Sequence, residues 1–158
     1  MQKITPCLWF DGQAEEAINH YISIFKDGRI IDVTRYGDAG PDRKGSVLVA
    51  RFELAGQEYI ALNGGPMFKF TEAISLSVDC KSQAEVDDLW EKLSAGGSTS
   101  QCGWLKDKFG LSWQIVPARL VALLQDPDQE RSKRVMAAMM QMTKIDIAKL
   151  EAAAAGNV

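Results

Sequence analysis

Ten side chains in this sequence have the types and spacing to hold a small polar molecule: Thr5, Cys7, Trp9, Arg51, Tyr59, Asn63, Ser75, Ser77, Ser112 and Gln114. Most fall at every second position of short β-prone runs, so alternation puts them on one face of a sheet with Ala61 and Ala73, and Asn63 and Arg51 at its ends. Small hydroxyls and a carboxamide beside aromatic rings can hydrogen-bond and wall in a modest organic ligand. The same hydroxyls could instead bond one another or ordered water across the sheet. Arg51 could pair an acidic ligand group, although a neighbour such as Glu53 or Glu58 is the plainer partner. Cys7 has no base within sequence reach and is expected to be a buried, inert thiol.

What is missing narrows the chemistry further. His20 is the single histidine, so several imidazoles cannot meet within one chain. That removes most zinc enzymes and any Ser-His-Asp scheme not using His20. Cys7, Cys80 and Cys102 are odd in number and fit no metal-ligand spacing, which suits free thiols in a reducing compartment.

The elements that must position these groups can be read in order. Gly103–Pro117 forms strand, tight turn at Phe109–Gly110, and strand, with Leu111, Trp113 and Ile115 facing a core and Ser112, Gln114 and Val116 facing away. Ala73–Val78 alternates in the same way. Ile4–Phe10 is a strand whose Pro6 implies an edge or a beginning. The helix after it is capped by Asp11 or Gly12 and carries Ala14, Ala17, Tyr21 and Ile24 as its stripe. Arg29–Tyr36, Val47–Leu54 and Glu58–Leu62 are strands, and Gly37–Gly45 is a turn-rich loop. Phe68 and Phe70 follow the break at Asn63–Pro66 and could form a lid or meet a partner subunit.

The second half repeats the first. Ser82–Glu85 opens a helix with a capping-box pattern, and Val86, Leu89, Trp90 and Leu93 line it. Each half therefore reads strand, helix, three strands, an internal repeat. After Pro117 come helices at Ala118–Gln125, beyond Asp126-Pro127-Asp128, and from about Lys144 to Ala155. Their stripe of Val135, Met139 and Met142 is expected to pack on the domain or a partner, rather than serve as a flexible Met-rich interaction surface.

The chain has 158 residues, 46% hydrophobic and 25% charged, enough for a core in one domain or two fused modules. A net charge of −3 argues against nucleic acid. No run approaches the ~20 apolar residues of a membrane helix, and the first residues lack a signal-peptide layout. A cytoplasmic protein with no membrane or nucleic-acid partner is the expectation.

Paired βαβββ modules ending in DKFGLSWQ at Asp107–Gln114 resemble the vicinal oxygen chelate superfamily of glyoxalase I, extradiol dioxygenases and bleomycin-resistance proteins. More narrowly, PCLWFDGQAEEA, ALNGGPMFKFTEAISLSVDC, AEVDDLWEKLSAGG, CGWLKDKFGLSWQIVP and RVMAAMMQMTKIDIAKLEAA are similar to the PhnB-like branch, often labelled 3-demethylubiquinone-9 3-methyltransferase. The resemblance implies an α+β glyoxalase/bleomycin-resistance/dioxygenase fold over residues 1–117, in modules of about 1–66 and 67–117, with a helical extension at 118–158. It also implies a ligand cleft between sheet faces and a homodimer.

Metal-using members take His or Gln, Glu, His and Glu from the first and last strands of each module. Those positions carry over to Thr5, Ala61, Ala73 and Gln114. Two alanines with a neutral hydroxyl and amide cannot offset the dehydration of a divalent ion. A Rossmann-type S-adenosylmethionine site would need a glycine-rich strand-to-helix turn, and Gly64-Gly65 leads into Pro66 and a loop. The reading is therefore a small-molecule binder without metal or other cofactor. The alternatives are a metal-dependent lyase, isomerase or dioxygenase recruiting Glu58, Glu72 or Asp107, the methyltransferase of the family label, or a partner-binding module using the Met-rich tail.

Overall fold

The computed structural model describes residues 2–38 and 44–157, so the central part of the expected Gly37–Gly45 loop, residues 39–43, lies outside the described residues. The chain divides into two compact units, Met1–Phe70 and Thr71–Val158.

In the first unit, β1 (Cys7–Phe10) leads through α1 (Ala14–Ile24) to β2 (Arg29–Arg35), β3 (Val47–Leu54) and β4 (Gln57–Asn63). The sheet runs β1-β4-β3-β2, with β1 parallel to β4 and the other pairs antiparallel. β1 starts later than expected, at Cys7, because Pro6 has no N–H to give to a ladder; its carbonyl accepts from Ile60 N at 2.8 Å. Ala14, Ala17, Ile18 and Tyr21 form the buried stripe of α1. Small residues on both sides let that helix lie close on Ala50 and Ala61, which are 1% and 0% exposed. Neither Asp11 nor Gly12 caps the helix. Asn63 does so from the end of β4, where Oδ1 accepts from Ala14 N at 2.9 Å and Nδ2 donates to Val47 O at 2.9 Å.

The second unit repeats this plan. β5 (Ser75–Cys80), α2 (Gln83–Ser94), β6 (Ser98–Thr99), β7 (Trp104–Lys106) and β8 (Ser112–Pro117) form a sheet ordered β5-β8-β7-β6, with β5 parallel to β8. Here the cap is local: Ser82 Oγ accepts from Glu85 N at 3.1 Å. Val86, Leu89 and Leu93 of α2 pack towards the sheet face that carries Leu105, Trp113 and Ile115, all buried. Gly97 has no alternative, since a Cβ there would sit 2.0 Å from Lys106 O. The β7–β8 connection is built on Asp107, which is 2% exposed. Its Oδ1 accepts from Phe109 N at 2.9 Å and Leu111 N at 3.1 Å, and its Oδ2 accepts from Trp113 Nε1 at 2.9 Å.

Three helices complete this unit: α3 (Ala118–Leu124), α4 (Gln129–Met140) and α5 (Ile147–Ala154). Their core holds Leu120, Leu123, Val135, Met142, Ile145, Leu150 and Ala154, so the expected Met-rich stripe does pack on its own domain. Arg134 donates to the carbonyls of Ala153 and Ala154 at 2.9 and 2.8 Å, satisfying the end of α5. Among the described residues, no helix is long and apolar enough to cross a membrane.

Candidate functional site

Strand register decides which predicted residues can meet. In the second unit, Ser75 lies opposite Ser112 and Ser77 opposite Gln114, while Gln114 pairs with Trp104, and Ser112 with Lys106. Lys106 in turn lies opposite Ser98. Partners in register share a sheet face, so all these side chains line the side away from α2. The sequence brought out four of them, Ser75, Ser77, Ser112 and Gln114. It missed Lys106 and Ser98, and weighed Trp104 chiefly as packing, because β6 and β7 are too short to show alternation.

A cavity of about 620 Å³ opens on this face, with Trp104, Lys106, Ser112, Ser98, Cys102 and Glu72 among its walls. Ser112 is 1% exposed, yet its Oγ has no hydrogen-bond partner among the protein groups described. A buried hydroxyl without a partner is unusual and disfavoured. Gln114 Nε2 donates to Ser75 Oγ at 3.0 Å, so that pair is internally satisfied, as the plainer account of the hydroxyls held. Lys106 is ion-paired with Glu72, and its hydrogen bond keeps that carboxyl below the usual carboxylate range. Among the described residues, the face thus offers a buried unpartnered hydroxyl, an ion pair and an indole wall. Such a set can orient a small molecule that carries hydrogen-bonding groups on a flat or apolar body.

The first unit's six predicted residues do not share one sheet face. Cys7, Ile60, Arg51 and Asp32 are in register, as are Trp9, Leu62, Val49 and Thr34. Tyr59, Ala61 and Asn63 therefore lie on the opposite face, towards α1, one residue out of phase with the expected alternation. The slip has a physical cause: Ala61 fits beneath the helix where Ile60 or Leu62 would not, and shifting by one residue reverses every side chain. Asn63 is 7% exposed and occupied as the helix cap. Tyr59 stacks on Phe52 with ring centroids 5.4 Å apart, and burial raises its phenol pKa.

On the other face, Trp9 Nε1 donates to Gly65 O at 2.9 Å, and its ring meets Phe68 edge-on at 4.9 Å. A Cβ on Gly64 would come within 2.4 Å of that indole, which explains the glycine. Arg51 Nε donates to Asp32 Oδ2 at 2.9 Å, and Nη1 lies 3.9 Å from Glu58 Oε2. Asp32 was not anticipated, and Glu53 pairs with Arg29 instead, at 3.2 Å. Cys7 is exposed rather than buried, because its partner in register, Ile60, lies on the face away from α1; partial desolvation raises its thiol pKa. Thr5 precedes the strand and is half-buried.

The four superfamily metal positions do not fit a divalent ion. Ala61 faces the helix, Ala73 is an exposed residue ahead of β5, and neither has a donor atom in its side chain. Glu72 and Asp107, considered as substitutes, are engaged by Lys106 and by the β7–β8 turn. Among the described residues there is no group of three or more His, Cys, Asp or Glu able to hold an ion.

Residues 2–116 match the family model described as 3-demethylubiquinone-9 3-methyltransferase. A Bacillus cereus PhnB protein, itself described under that methyltransferase name, is 40% identical with a TM-score of 0.70, over 74% of this chain and 100% of that one. A Pseudomonas aeruginosa protein of known structure is 24% identical with a TM-score of 0.62, over 74% and 98% of the two chains. The fosfomycin resistance protein FosX of Listeria monocytogenes, solved with Mn(II) and sulfate, shares the fold at 16% identity and a TM-score of 0.54, over 71% and 88%. No curated protein matches. The family match spans most of the chain and agrees with the Bacillus cereus relative: the chain belongs to the 3-demethylubiquinone-9 3-methyltransferase family, as does that PhnB protein.

Proposed function

We propose that the protein binds a small polar organic molecule in the cavity on the second module's sheet, without a metal ion at the superfamily positions. The observation that carries this reading is Ser112, a buried hydroxyl with an unmet hydrogen-bonding capacity at the wall of a cavity of about 620 Å³. Trp104 gives a flat apolar contact, and the Lys106–Glu72 pair gives a charge of either sign to a ligand able to separate it. We include in the proposal a homodimer in a reducing cytoplasm, which suits three free cysteines.

Metal-assisted or methyl-transfer chemistry draws less support. The two strand-to-helix turns, Asp11–Gln13 and Lys81–Ser82, contain one glycine, Gly12, and lack a glycine-rich phosphate or nucleotide cradle. Among the cavity residues, the carboxylate of Glu72 and the amine of Lys106 are committed to each other.

The test is a thermal-shift screen of polar metabolites with excess chelator present, repeated on Ser112→Ala. The expected result is that hits raise the melting temperature of the parent protein, chelator changes nothing, and Ser112→Ala loses about tenfold or more in affinity. Hits that need a divalent ion, or that bind Ser112→Ala equally well, would contradict the proposal.

A further inference from the structure

The turn between β6 and β7 holds a second feature at the edge of the same cavity, which Cys102 also lines. Cys102 has φ of +59°, a left-handed backbone that a residue with a Cβ adopts reluctantly. It is tied in place: Cys102 N donates to Met142 O and Gly103 N to Thr143 O, both at 2.8 Å. Those bonds lock the turn to the segment after α4. Cys102 Sγ then lies 4.0 Å from Met140 Sδ and 3.6 Å from Met139 O. Met140 is 56% exposed, so core packing does not account for its position beside the thiol.

The separation is informative. Two metal–sulfur bonds of about 2.3 Å meeting at about 120° span about 4.0 Å, which is the distance found between these sulfurs. A thiolate and a thioether are soft donors, and together they favour Cu(I) over the hard cations that carboxylates hold. We propose that Cys102 and Met140 form a chelating site for a soft monovalent cation, Cu(I), apart from the four superfamily positions. The Met139 carbonyl is placed to serve as a third, weaker donor. Binding replaces the thiol proton, so that RSH and Cu(I) give RS–Cu(I) and a released proton with no change of oxidation state. Cys102 also lines the small-molecule cavity, but ion uptake and proton release are read with no small molecule present.

The experiment titrates the full chain carrying Cys7→Ser, since exposed Cys7 alone would take up the metal. Buried Cys80, whose thiol pKa is pushed up to about 12 by desolvation, stays protonated and apart. Ag(I) serves as a redox-inert probe and Cu(I) is tested anaerobically, each against a competing chelator, with proton release recorded. The expected result is a single ion and a single proton per chain. Met140→Leu, a near-isosteric change at an exposed position, should weaken binding about tenfold or more with the melting temperature unchanged. Cys102→Ser should abolish it. Affinity unchanged in Met140→Leu, or an ion retained by Cys102→Ser, would overturn the site.

Discussion

The two modules share a strand order but differ in what they place on the sheet face turned from the helix. The first presents Cys7, Trp9, Ile60, Leu62 and an Arg51–Asp32 pair. Its indole N–H and its guanidinium already have partners within the module. The second presents Ser75, Ser77, Ser112, Gln114, Trp104 and Lys106, and leaves a buried hydroxyl unanswered at a cavity wall. Topology alone therefore does not decide which face keeps unmet polar groups. The difference lies in whether the polar groups are consumed by the fold.

The same contrast runs through the buried polar groups that hold each module. Asp107 organises the β7–β8 connection through three donors, and Asn63 joins α1 to β3 through two bonds. Asp107→Ala should give the largest effect, a loss of about 3–5 kcal/mol by urea unfolding, because it strands two amides and an indole N–H inside the protein. An unchanged unfolding midpoint would remove Asp107 from its structural role and reopen it as a site residue. Asn63→Ala should cost about 2–3 kcal/mol, for one lost cap and one orphaned carbonyl. If Asn63→Ala instead spared stability and impaired ligand binding, the division between the faces would be wrong.

Ser112→Ala should act in the opposite direction from either. It removes a buried hydroxyl that has no protein partner, so the free protein should gain up to about 1 kcal/mol while ligand affinity falls. A destabilised Ser112→Ala protein would mean that the hydroxyl is satisfied within the fold. Arg51→Gln should have the smallest effect, since the pair is exposed and screened. Arg51 holds the Asp32 carboxyl below its ordinary range through their hydrogen bond. Its stabilisation is thus present above the unfolded pKa and lost as pH falls through the lowered folded value. Any difference between Arg51→Gln and parent melting should be seen at neutral pH and vanish in acid.

Much of the architecture was legible in the residues. The 3.6-residue stripe of α1, the Ser82 cap, the Leu111–Trp113–Ile115 alternation and the strand-helix-strand-strand-strand repeat all correspond to observed elements. The candidate face was legible only in the second module, where a serine or glutamine at alternate positions separates cleanly from large apolar residues. In β4 the run Tyr59-Ile60-Ala61-Leu62 is apolar at every position, so alternation gave no phase; the helix chose Ala61 for its small volume. Asn63 read as a ligand-binding residue and Asp107 as a substitute metal ligand, because their partners, Val47, Ala14 and Trp113, are supplied by folding. Lys106 escaped notice because β7 is three residues long.

The most direct measurement is amide hydrogen exchange with and without a ligand found by the screen. The account predicts added protection across residues 98–114, around β6, β7 and the start of β8, with β1 and β3 unchanged. Protection centred on Cys7–Phe10 and Val47–Leu54, with β7 and β8 unaffected, would contradict it.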